Sequence, residues 1–182
     1  MNYNNSTYFL IKNNIVNLSS FSTSQEFNDF LNKAYEVGYR SKLFAQSRGD
    51  YYSLILSKII SEVGVTHSLD FMLSESENFF LIDYLRLDGC ISDLNELINW
   101  CINNIKFLYD LYFGLVKWDE YCVTQEDIIN IINRAKMTRI EEFKSEDNQH
   151  ILYVFTYIFE VKRLLEEAKN NEMAIIVCSS GH

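Results

Sequence analysis

The sequence predicts an α+β fold that is predominantly helical, with five to six helices, a small N-terminal β-hairpin and a C-terminal strand able to join it. Three observations carry that prediction. The 182 residues contain no proline, so no helix is broken by a ring that removes a backbone donor. Two long stretches, 94–115 and 151–168, hold apolar residues at steps of three and four, the spacing of a buried helix face. Runs rich in β-branched and aromatic residues stand near the two ends, "TYFLIK" and "IVNL" at the start and "MAIIVC" at the close.

In chain order, strands are predicted at 7–12 and 15–19, flanking Asn13-Asn14, a pair that tolerates the positive φ of a tight turn. Thr23 and Glu26 have capping-box spacing, and Phe27, Phe30, Leu31 and Ala34 then share one helix face up to Gly38. "YRSKLFAQ" reads as extended, and Asp50 opens a helix that Gly64 closes. "VTHSLDFML" reads as a weak strand. Ser74 and Glu77 form a second cap, ahead of a helix over "NFFLIDYLRL" that stops at Asp88-Gly89. Asp93 and Glu96 then cap a long helix over 93–117. Its seam is Leu94, Ile98, Cys101, Ile105, Leu108, Tyr112 and Leu115, widened by Leu97, Ile102, Tyr109 and Val116. Thr124 and Asp127 start the next helix. The last helix begins near Asn148, with a seam of Ile151, Val154, Ile158, Val161, Leu165 and Ala168. No internal repeat or linker divides the chain, so residues 1–182 form one domain: hairpin 7–19, helical body 23–171 and strand 173–178.

Cys90, Cys101, Cys122 and Cys178 fit no metal or redox spacing, and nothing ahead of them reads as a secretion signal. Reduced thiols in a cytoplasmic protein are therefore expected, with no cofactor and no metal. No uncharged apolar run approaches the ~20 residues of a membrane span. The closing "SSGH" reads as the start of a purification tag.

The formal charge of −9 is concentrated. Residues 70–127 hold twelve acidic side chains against Arg86, Lys106 and Lys117, and the rest of the chain is balanced. Such a field repels nucleic acid and anionic membrane and draws basic partners. Part of the acidity has a local purpose, since Glu77, Asp93, Glu96 and Asp127 sit where a helix dipole favours a carboxylate.

Catalytic motifs are scarce. The six glycines form no phosphate-binding loop, and His67, His150 and His182 lack a second ligand at metal spacing. His67 and Asp70 make one H-x-x-D pair, the nucleus of an alternative in which they and a cysteine line the cleft of an enzyme. A second alternative pairs the two seams across a homodimer. The aromatic residues Trp100, Tyr109, Tyr112, Phe113, Trp118 and Tyr121 lie on or just beyond the acidic segment, and spacing assigns Trp100 and Tyr112 to the core.

The favoured reading is a non-catalytic acidic protein that neutralises a basic protein partner and touches neither nucleic acid nor membrane. An immunity protein against a toxin nuclease is one form of it. Asp110, Trp118, Asp119, Glu120, Tyr121, Glu126 and Asp127 are the expected contact residues.

Overall fold

The computed structural model describes residues 4–12, 25–26, 28–30, 40–46, 49–73, 79–115, 124–142 and 150–181. Its architecture is the expected α+β, dominated by helix. The strands are β1 (Asn4–Lys12), β2 (Arg40–Gln46), β3 (Phe79–Ile82) and β4 (Met173–Gly181), in the sheet order β2-β1-β4-β3 with every pair antiparallel.

The C-terminal strand does join β1, along its whole length, from Asn4↔Gly181 to Lys12↔Met173. Residues 179–181, expected to belong to a tag, are therefore paired members of the sheet. The other edge of β1 is occupied by β2 over residues 4–10. The hairpin strand expected at 15–19 lies outside the described residues.

Tyr8, Phe9, Leu10 and Ile11 are all buried, as are Ala174 to Val177. Successive side chains on a strand point to opposite faces, so an unbroken apolar run marks a strand covered on both sides. Tyr8, Leu10, Ile175 and Val177, with Ile82 of β3, face the helical core. Phe9, Ile11, Ala174 and Ile176 are buried on the opposite face.

The helices are α1 (Gly49–Val63), α2 (Thr66–Leu69), α3 (Leu87–Asn103), α4 (Ile105–Leu115), α5 (Gln125–Ala135) and α6 (His150–Asn170). Helical backbone also occurs at 25–26 and 28–30. Gly64 ends α1 with φ +81, and its N–H reaches the carbonyls of Ile60 and Ser61. α6 is the central element, packed against α1, α3, α5 and β4. All six residues of its predicted seam are buried, and so are Leu152, Phe155, Tyr157 and Leu164. Burying each of the Val, Leu, Ile and Phe side chains stabilises by about 1.5–3 kcal/mol before entropy is counted.

The middle of the chain differs from its sequence pattern in four places. Residues 66–72 form α2 and a 3₁₀ turn, not a strand. Residues 79–82 are β3 rather than helix, because "FFLI" completes the sheet beside β4, and a place in a sheet overrides a weak helical preference. The start signal there is Asp83, whose extended backbone and carboxylate cap a 3₁₀ turn by accepting from the Arg86 N–H at 3.1 Å. That turn leads into α3 at Leu87, so Asp88 and Gly89 open the helix that they were expected to precede, and Asp93 is in its interior.

The fourth difference is the break in the expected 93–117 helix at Asn104. Its φ of −121 and ψ of 42 leave the helical region, and its side-chain amide donates to the Trp100 carbonyl at 2.8 Å. A short amide side chain that bonds back to the helix backbone ends a helix in this way. The seam survives the break, with Leu94, Ile98, Cys101, Leu108 and Tyr112 buried. The second line does not, since Ile102 keeps 43 % of its surface exposed.

Sheet and bundle are joined at the hydroxyls of Tyr8 and Tyr157, which are hydrogen-bonded at 2.5 Å in the core. Tyr8 also meets Phe71 edge-on, with ring centroids 6.3 Å apart. Burial, with the neighbouring Tyr157, pushes the Tyr8 phenol well above its usual range, so Tyr8 stays neutral. Tyr8→Phe and Tyr157→Phe are each expected to cost about 1–3 kcal/mol in urea unfolding. The double variant should cost less than the two single losses added together, and strict additivity would show that the hydroxyls do not act as a pair.

Candidate functional site

The predicted contact residues divide into two groups. Trp118, Asp119, Glu120 and Tyr121 lie outside the described residues. Asp110, Glu126 and Asp127 lie on the neighbouring helices α4 and α5. Asp110 is exposed and accepts from Lys106 at 2.6 Å, one helical turn back. Glu126 is exposed in the first turn of α5.

Asp127 has a structural role as well. Its carboxylate accepts from the Thr124 N–H and hydroxyl, each at 2.8 Å, and its own N–H donates to the Thr124 oxygen at 3.2 Å. This is the capping box expected from the sequence, and it ties Asp127 to the helix end.

The other acidic residues of 70–127 follow the same division. Asp83 caps a turn, and Asp88 pairs with Lys169 at the far end of α6. Asp70, Glu96 and Glu126 are exposed and make no ion pair among the described residues. Glu75, Glu77, Asp119 and Glu120 lie outside those residues.

Beside these carboxylates α4 carries rings. Tyr109 and Phe113 stack with centroids 5.8 Å apart and an interplanar angle of 19°. Phe113 is 57 % exposed. Trp100, expected in the core, is half-buried and meets Phe107 edge-on across the Asn104 break. Ile129 and Met137, on and just beyond α5, are also exposed. The sequence grouped Tyr109 and Phe113 with the aromatics of the acidic segment but did not place them among the contacts. Their spacing of four residues was the available signal.

The elements of the enzyme alternative lie close in the fold. Cys90 donates its thiol to the Ser68 carbonyl at 3.6 Å, beside the turn that bears His67 and Asp70. Burial pushes this thiol up; Arg86 opposes the rise, and Asp93 and Asp70 add to it. A neutral, buried thiol is a poor nucleophile, and His67 and Asp70 are exposed. Cys101 is more strongly affected, pushed up to about 12 by burial. Among the described residues no group of three His, Cys, Asp or Glu side chains can hold a metal ion. Among them, too, no helix is long and apolar enough to cross a membrane.

A second polar feature was missed in the sequence. Thr156 and Glu160 are buried polar residues one turn apart on α6. Glu160 Oε1 accepts from Arg139 at 2.9 Å and from Arg163. Arg163 also donates to the carbonyls of Lys136 and Thr138, at 2.8 and 3.4 Å. One guanidinium therefore holds the end of α5 against α6. The Thr156 hydroxyl has no hydrogen-bond partner among the described residues. The clue in the sequence was a polar pair at i and i+4 inside the apolar run "VFTYIFEV".

Comparison with protein-family models, with curated proteins and with solved structures finds no match to this chain.

Arg163→Met is expected to lower stability by about 2–3 kcal/mol, less than a wholly buried pair because Arg163 is partly exposed and Arg139 remains. Thr156→Val should be neutral or stabilising by up to about 1 kcal/mol, since it removes a hydroxyl that gains nothing from burial. Chemical denaturation decides both, and a loss on Thr156→Val would reveal a partner for that hydroxyl.

The Cys101 thiol gives a pH test. The unfolded chain loses this proton near 9 and the folded chain near 12. The stability that it contributes is full below pH 9 and falls as pH rises towards 12, by at most about 1.4 kcal/mol per unit. The stability difference between the parent chain and Cys101→Ala should therefore narrow by about 1 kcal/mol between pH 9 and pH 10, where the unfolded thiol is still partly protonated. A constant difference would contradict the burial argument.

Proposed function

We propose that this chain is a non-catalytic acidic binding protein that neutralises a basic protein partner in the cytoplasm. An immunity protein against a bacterial toxin nuclease is the concrete form, and a phage-encoded inhibitor of a nucleic-acid-binding protein works by the same chemistry. Carboxylates occupy the basic surface that otherwise holds phosphate, and exposed rings anchor the contact.

One observation carries the reading: Asp70, Glu96 and Glu126 are solvent-exposed without an ion-pair partner among the described residues, in a segment of net charge −9. Carboxylates left open in this way supply long-range steering, which local caps and ion pairs do not. The buried, neutral thiols of Cys90 and Cys101 weigh against thiol catalysis at these positions and suit a reducing compartment.

The test uses the partner captured from the native cell. Asp110→Lys combined with Glu126→Lys is expected to slow association about tenfold at low salt, with thermal unfolding unchanged. The parent complex should weaken steeply as salt rises. Association rates that ignore both salt and the double reversal would contradict the proposal.

A further inference from the structure

The stacked pair on α4 allows the chemistry of the partner to be named. Phe113 follows Asp110 by three residues and Tyr109 by four, so the open ring, its stacking neighbour and the carboxylate adjoin on one helix surface. The Lys106–Asp110 pair is largely in water, with side-chain exposures of 75 % and 55 %. An exposed pair of that kind contributes little and exchanges readily. Lys106 is the one basic residue between Leu87 and Leu115, and the last turn of α4 has none to offset its carbonyl dipoles. The surface thus offers two stacked rings and one carboxylate, and the single ammonium group beside that carboxylate is weakly bound.

A cation that fits must present a flat face to the ring and a fork to the carboxylate. Guanidinium does both, whereas an ammonium group is a strongly hydrated point charge that satisfies the carboxylate alone. Building on the binding role proposed above, we infer that α4 is an arginine-docking surface. An arginine of the basic partner stacks on Phe113, displaces Lys106 and takes Asp110 as its carboxylate. Charge complementarity selects this occupant over a second copy of the chain, whose charge of −9 opposes self-association.

Fluorescent nona-arginine and nona-lysine peptides, titrated by anisotropy, provide the test because they carry equal charge. The parent chain should bind nona-arginine about tenfold more tightly than nona-lysine. Phe113→Leu and Asp110→Asn should each abolish that preference. Lys106→Met should tighten nona-arginine by removing its competitor, and circular dichroism checks that every variant is folded. If Phe113→Leu does not fold, the Lys106→Met and Asp110→Asn results decide. Equal affinity for the two peptides, or an arginine preference that survives Phe113→Leu, overturns the docking surface and leaves the acidic-binding reading standing. Failure to bind either peptide at low salt overturns both.

Discussion

The structure depends on the burial of α6, which is nearly complete over residues 151–161. A helix packed against other helices and a sheet must be apolar on most sides where it is covered, and a charged group buried on it needs a partner inside the chain. Glu160 meets that requirement by drawing in Arg139 and Arg163, and Tyr157 meets it by pairing with Tyr8. Each pair fixes a different neighbour. Arg163 holds the end of α5 through the carbonyls of Lys136 and Thr138, and the phenols hold the sheet. Such contacts add little net energy compared with apolar burial, but they fix one arrangement of the elements around the axis.

What was legible in the sequence follows from the range of the interaction involved. The seam of α6, the capping box at Thr124 and Asp127, the Gly64 stop and the strand character of "MAIIVC" are recorded in local pattern. Residues 79–82 were misread because their state is decided by β4, about a hundred residues away, and not by their neighbours. Asn104 was misread because an apolar seam passes through the break, while a single hydrogen bond from its amide to the Trp100 carbonyl ends the helix. Of the two seams considered as possible faces of a dimer, Leu94, Ile98, Cys101, Leu108, Tyr112 and all six positions of α6 are covered within the chain, and Ile105 is half-buried.

The surface was legible in composition and less so in detail. The acidic excess is a property of the sequence, but its division into working caps and open carboxylates is a property of the fold. Asp83, Asp88, Asp110 and Asp127 have local partners, and Asp70, Glu96 and Glu126 are left for other purposes. Counting charges alone overstates the field that a partner meets. The aromatic residues show the opposite error, since spacing assigned Trp100 to the interior while the break at Asn104 leaves it half-buried.

The sheet order has a consequence for how the molecule is made. β4 lies between β1 and β3, which do not pair with each other, and it is the last of the four strands to leave the ribosome. Until residues 173–181 emerge, β3 has no strand neighbour and β1 has only β2. Completion of the sheet is therefore a late, long-range event, and contacts of such high sequence separation slow folding. The nascent chain presents unsatisfied strand edges for most of its synthesis, the interval in which chaperone contact matters most.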